Sequence, residues 1–154
     1  MENPDYQKTL DYLRRLCSVR EYCIGDIRDK ALKRLESEED VQRAVASLID
    51  DGYLCQQRYA DAFARDKASI AGWGPVKIRF TLKAKGVDDA TISSALAQID
   101  RTRSEEKMRR VIEAKFKTLA TDPQVKIKLL KFALSRGYQY DSVSGIIDAL
   151  VRGK

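Results

Sequence analysis

One apolar pattern recurs three times along this chain at an offset of 51 residues, and it restricts the possible folds more than any other feature. Val41, Ala44, Val45 and Leu48 become Ile92, Ala95, Leu96 and Ile99, then Val143, Ile146, Ile147 and Leu150. Each set has the i, i+3, i+4, i+7 spacing of one helix face. The same offset relates Ile27, Ile78 and Leu129, and also the basic residues Arg34, Lys85 and Arg136. One period shared by several positions in three copies predicts duplicated modules. The expected fold is all-α: an elongated array of three tandem three-helix, helix-turn-helix-like repeats over 1–54, 55–102 and 103–154.

Periodicity predicts helices over Tyr6 to Val19, Ile24 to Leu35 and Glu38 to Ile49 in the first repeat. In the second they begin near Gln57 and continue at 75–85 and 88–99; in the third they fall near 105–120, 123–136 and 140–151, after a charged stretch from Arg101 to Lys107. Turn chemistry supports these bounds. Pro75 and Pro123 stand where a helix begins, where the missing amide proton costs nothing. Gly86 and Gly137 stand where helices end, and a left-handed residue there satisfies free carbonyls. Asp88 and Asp141 come next as candidate caps. The first repeat has Leu35 in place of that glycine, so its turn must differ.

Charge is unevenly placed along the 154 residues. Lys and Arg number nine against twelve Asp and Glu in 1–51, eight against five in 52–102, and twelve against six in 103–154. The total of +6 therefore conceals a gradient from −3 through +3 to +6. Such polarity can orient the chain on a polyanion or on a surface of alternating charge. No stretch approaches the roughly 18 consecutive apolar residues that cross a bilayer, and the N-terminus lacks the basic and apolar regions of a signal peptide. A cytoplasmic protein is expected. Cys17, Cys23 and Cys55 are odd in number and lack CxxC spacing, which predicts small buried thiols.

The residue types argue against an enzyme. The chain contains no histidine, which removes the commonest general base and metal ligand, and three scattered thiols cannot form a four-cysteine zinc site. It has neither a GxxxxGK[ST] phosphate loop nor a GxGxxG after a strand. The acid pairs Asp50-Asp51 and Asp88-Asp89 fall at predicted helix ends, where capping accounts for them. No metal, cofactor or catalytic residue is expected.

Cations are the better candidates for function. On a helix from Pro75 to Lys85, Ile78 and Leu82 share one face, with Lys77 and Lys85 to one side and Arg79 and Lys83 to the other. With the helix after Gly86 they resemble a helix-turn-helix unit. Arg65 belongs to the same region, and Lys126, Lys128, Lys131 and Arg136 repeat the theme. DNA contact and plain solvation of helix flanks both remain open readings. Most aromatic residues read as core. Trp73, between Gly72 and Gly74 and before Pro75, either closes a joint between helices or projects as an interface residue.

The run Arg58-Tyr59-Ala60-Asp61-Ala62-Phe63-Ala64-Arg65, followed by Gly72-Trp73-Gly74-Pro75, Ile78, Leu82 and Lys85-Gly86-Val87, resembles the central signature of the RecX family of bacterial recombination regulators. Asp50-Asp51-Gly52-Tyr53-Leu54 is similar to that family's first inter-repeat link. Lys131-Phe132-Ala133-Leu134-Ser135-Arg136-Gly137-Tyr138 is similar to its third-repeat turn. The resemblance covers nearly the whole chain. It implies a non-enzymatic modulator that binds the RecA recombinase filament on DNA, typically restraining ATP hydrolysis, strand exchange and coprotease activity. A monomer is expected, with Arg65, Lys77, Arg79, Lys83 and Lys85 as a central binding surface extended by Lys126, Lys128, Lys131 and Arg136. The alternative is a sequence-nonspecific DNA-binding protein that needs no recombinase.

Overall fold

A computed structural model describes residues 4–153. Among these residues nine α-helices run α1 Pro4–Val19, α2 Ile24–Leu32, α3 Glu38–Asp50, α4 Gln56–Asp66, α5 Pro75–Ala84, α6 Asp89–Ala97, α7 Arg101–Leu119, α8 Val125–Ser135 and α9 Tyr140–Arg152, with a π-helical turn at Lys67–Ala71 after α4. Among the described residues there is no strand. The fold is therefore all-α, as the period predicts. No helix among these residues is long and apolar enough to cross a membrane.

The 51-residue offset reappears as burial. Ile27, Ile78 and Leu129 are each 0% exposed, and so are Val41, Ile92 and Val143. Positions related by the offset on α2, α5 and α8, and on α3, α6 and α9, thus point inward.

Packing divides the chain into two units, Met1–Ala62 with Leu82–Ile92, and Phe63–Thr81 with Ser93–Lys154. The core of the first gathers Leu10 and Leu13 of α1, Ile27 and Ala31 of α2, and Val41 and Leu48 of α3. Tyr12, Leu16 and Val45 line it. The core of the second gathers Met108 and Ile112 of α7, Leu129 and Ala133 of α8, and Val143 and Ile147 of α9. The middle stretch, 55–102, contributes residues to both units. Division into three repeats remains the proposal that the sequence period makes.

Several local expectations are corrected. α2 ends at Leu32 rather than Leu35. Leu35 lies beyond it as a buried residue whose amide donates to the Ala31 carbonyl at 2.9 Å, so this turn differs from the glycine turns of the other repeats. The charged stretch 101–107 is the start of α7, not a linker: the Asp100 side chain accepts from the Arg103 amide at 3.1 Å and caps the helix. Pro123 precedes α8 by two residues. It sits in a turn where the Asp122 carboxylate accepts from the Gln124 amide at 2.8 Å. Asp141 lies inside the first turn of α9, whose N-cap is Gln139. Asp88 acts as expected, accepting from the Thr91 amide at 3.4 Å and from its hydroxyl at 2.5 Å just before α6.

Cys17 and Cys23 are buried and Cys55 half-buried, all as free thiols. Burial raises the Cys17 and Cys23 thiols above their ordinary range, with the Glu21 charge adding to the first and the Asp26 backbone hydrogen bond opposing the second. Both are therefore neutral at physiological pH. Burial also pushes the Tyr59 phenol up to about 12.

Core truncation and alkaline titration both test this packing. Ile78→Ala and Leu129→Ala should each lower unfolding free energy by about 2–5 kcal/mol in urea titrations, the range for emptying a buried aliphatic site; a smaller loss would show that these sites collapse readily. Because the folded Tyr59 pKa lies above the unfolded value of about 10, its stabilisation is complete below pH ~10 and is lost as pH climbs from there toward 12. Tyr59→Phe should flatten that alkaline decline in denaturant midpoint, and an unchanged slope would refute the assignment.

Candidate functional site

The residues singled out around Ala71-Gly72-Trp73-Gly74-Pro75 come together in the second unit. The π-helical turn ends at Gly72, which has φ +72. The Trp73 amide reaches back to the Lys67 carbonyl at 2.8 Å. The Gly74 amide donates to the Arg136 carbonyl at 2.8 Å, and the Val76 amide donates to the Gly137 carbonyl at 3.0 Å. The start of α5 is thereby pinned to the turn that ends α8.

This approach leaves no space for a side chain. A Cβ on Gly74 would lie 2.3 Å from the Gly137 carbonyl carbon and oxygen, and one on Gly137 would lie 2.4 Å from Lys77 Cβ. Gly137 also has φ +91, which L side chains rarely adopt. Both glycines are required by sterics, one of them twice over.

Arg136 and Tyr138 complete the joint. The Arg136 guanidinium donates to the Ala71 carbonyl and, at 3.3 Å, to the Gly72 carbonyl. The buried Tyr138 hydroxyl donates to the same Gly72 carbonyl at 2.6 Å. Carbonyls at a helix end lack intrahelical donors, and these two side chains supply them. Burial raises the Tyr138 phenol, so it keeps the proton it donates. Arg136 thus serves this joint directly.

Trp73 closes the same joint. Its ring meets Phe63 edge-on, with centroids 6.0 Å apart and planes at 75°. The ammonium groups of Lys67 and Lys77 lie 4.6 and 4.2 Å from the Trp73 ring centroid. Such cation–π contacts hold the lysines as well as the ring. Lys77 is therefore partly committed to the joint, and Lys67 is a contributor that the sequence reading missed.

The first unit makes the corresponding joint differently. Gln56 accepts from the Ile24 amide at 3.1 Å and donates to the Gly86 carbonyl at 3.5 Å. Gly86 is the 51-residue equivalent of Gly137, so one side-chain amide stands where the second unit has direct backbone bonding. Lys85, equivalent to Arg136, pairs with Asp26 at 3.3 Å. Gln56 carries no sequence signal beyond its proximity to a repeat boundary, and Asp26 none beyond its place in the first turn of α2.

The remaining expected cations have these partners. Arg65 pairs with Asp66 at 3.4 Å, Lys83 with Asp89 at 3.2 Å, Lys126 with Asp148 at 2.9 Å and Lys128 with Asp122 at 2.6 Å. Arg79 donates to the Ser93 hydroxyl at 3.1 Å. The Asp148 hydrogen bond raises the Lys126 pKa. Lys131 has no ion-pair partner among the described residues. Exposed surface pairs of this kind are weak, so an external anion can replace the internal one at little cost. Lys83 and Lys85 belong to the first unit; the other seven belong to the second.

The second unit also contains a cleft of about 1040 Å³, lined by Trp73, Ile78, Met108 and Tyr138 with Arg101 and Arg109 among its polar residues. Nothing in the spacing of these residues announced it, because its walls come from distant segments. No group of three or more metal-ligating side chains occurs among the described residues.

Comparison with known proteins places this geometry in context. The pattern described as "RecX, second three-helix domain" matches residues 56–96. The regulatory protein RecX of Actinobacillus pleuropneumoniae serotype 5b (strain L20) is 32% identical over 141 residues, covering 90% of each chain. The regulatory protein RecX of Clostridium botulinum (strain Eklund 17B / Type B) is 31% identical over 125 residues, covering 79% of this chain and 58% of that relative. The crystal structure of RecX from Lactobacillus salivarius shares the fold, with a TM-score of 0.80 at 23% identity over 95% of this chain and 96% of that one.

The joint makes a graded prediction. Gly74→Ala and Gly137→Ala should be severely destabilising, because backbone or Cβ atoms rather than flexible side-chain ends occupy the space. Gly86→Ala meets no atom within 4 Å and bears only the φ +85 penalty, on the order of 1 kcal/mol. Thermal melting should rank Gly86→Ala well above the other two; equal melting temperatures would contradict the close approach.

Proposed function

The chain belongs to the RecX family, and from that premise we propose that it is a non-enzymatic regulator that binds the RecA recombinase filament on DNA and restrains its ATPase, strand-exchange and coprotease activities. The observation that carries this reading is the composition of α5 and α8. Each has three cations and no acid, Lys77, Arg79 and Lys83 on one and Lys126, Lys128 and Lys131 on the other. Corresponding helices of the second and third repeats thus offer positive charge to a partner.

These cations are not equally available. Arg136 serves the Gly72 joint, and Lys77 is shared with Trp73, so Lys126, Lys128 and Lys131 are the cleaner binding candidates. Their internal pairs are exposed, with side-chain exposure of 63% for Lys126 and 49% for Lys128. Contacts made by more than one repeat along a polymer reinforce one another through high effective concentration. The proposed contact is therefore distributed, and no single lysine carries all of it.

The second reading, a sequence-nonspecific DNA-binding protein without a recombinase, draws on the same cations. The two readings part in the dependence on RecA. DNA-dependent RecA ATPase and strand exchange, measured with the protein below DNA saturation at two salt concentrations, should show inhibition that scales with RecA. Normal RecA activity on protein-coated DNA would favour the second reading.

Joint replacement of Lys126, Lys128 and Lys131 by Ala should weaken inhibition without moving the urea midpoint. If these lysines instead serve free-DNA binding, each loss should lower the salt slope of DNA affinity by about 1, uniformly across sequences.

A further inference from the structure

The acid-free helices carry a second feature that charge alone does not explain. On α8, Ile127, Lys131 and Leu134 have i, i+4, i+7 spacing and lie within about 60° of one another around the helix. Ile127 is 55% exposed and Leu134 45%. On α5, Val76 and Phe80 occupy the positions equivalent to Ile127 and Lys131 by the 51-residue offset, and they are 56% and 74% exposed. Ile78, on the opposite side of α5, is fully buried, so these residues face outward by helix geometry.

The start of α5 meets the turn that follows α8. The Val76 amide donates to the Gly137 carbonyl at 3.0 Å, and Leu134 lies three residues before Gly137. Four large apolar side chains thus stand exposed on two helices that are joined at this turn and contain cations and no carboxylate. Aliphatic groups such as Val, Ile and Leu gain little from phosphates or sugars, whose interfaces are polar and strongly charged. Apolar anchors beside fixed cations match an amphipathic protein segment with the opposite charge.

We infer that the stripe formed by Ile127, Lys131 and Leu134 on α8 with Val76 and Phe80 on α5 docks an acidic amphipathic segment of a partner protein. The segment inserts apolar residues at helical spacing between these side chains, while flanking Asp or Glu meets Lys131 and the neighbouring cations. This deepens the reading that the chain acts by protein contact, and it does not require that the partner be RecA.

Three probes test the surface on the full, isotope-labelled chain: an amphipathic Leu/Glu peptide of about 15 residues, the same peptide with Lys for Glu, and a single-stranded oligodeoxynucleotide. The Leu/Glu peptide alone should shift the methyl signals of Val76, Ile127 and Leu134 and the ring signals of Phe80. Phe80→Ser with Ile127→Ser should weaken that binding about tenfold or more at an unchanged urea midpoint. Absence of shifts, shifts located elsewhere, equal shifts from the Lys peptide, or shifts of these residues by the oligonucleotide alone would each overturn the inference. A parallel sedimentation assay with RecA filaments separates it from the proposed function. Peptide docking without filament binding leaves the surface standing and removes RecA as the partner. Filament binding unaffected by the double substitution, with no peptide docking, removes the surface and leaves the regulator reading intact.

Discussion

Two peptide segments that approach too closely to admit a Cβ organise the second unit. Gly74 and Gly137 let backbone meet backbone, and the hydrogen bonds from Gly74 and Val76 to Arg136 and Gly137 convert that proximity into a fixed start for α5. The placement of Trp73 is a consequence, since it stands beside Gly74, and with it come the edge-on contact to Phe63 and the lysines over its ring. Arg136 then lies against carbonyls at the end of the π-helical turn that lack donors of their own. Geometry of this kind makes a basic residue structural without making it buried.

The first unit answers the same topological problem with a side chain. Gln56 spans from the Ile24 amide to the Gly86 carbonyl, and a long amide can adjust by rotamer where two peptide planes cannot. The Lys85–Asp26 pair beside it is solvent-exposed and weak. Equivalent positions in a duplicated sequence therefore carry different mechanical demands. Residue identity at Gly74 and Gly137 is dictated by space, whereas Gly86 is dictated mainly by its backbone conformation.

Much of the helical framework was legible in the sequence because burial on a helix repeats at a fixed interval. Ile27, Ile78 and Leu129 could be paired by counting and are all fully buried. The start of α7 was obscured because Arg101 to Lys107 is dense in charge, a pattern shared by linkers and by solvated helix faces; the cap at Asp100 was the available signal. Pro123 and Asp141 were misplaced by one or two residues, the scale on which side-chain capping decides a boundary. The site was less legible. Which cations stay at the surface depends on carbonyls and rings contributed by distant segments, as Arg136 and Lys77 show, and no local spacing encodes those acceptors.

The π-helical turn at Lys67–Ala71 gives the region an unusual sensitivity to chain length. Such a turn holds one residue more than an α-helical path between the same ends. Excising a single residue there would let the segment rewind to 3.6 residues per turn between the same ends, whereas inserting one would rotate the downstream chain by about 100° and swing the indole away from Phe63. The segment therefore tolerates a change of length in one direction only: it can give up a residue and keep its register, but it cannot take in another without turning everything downstream.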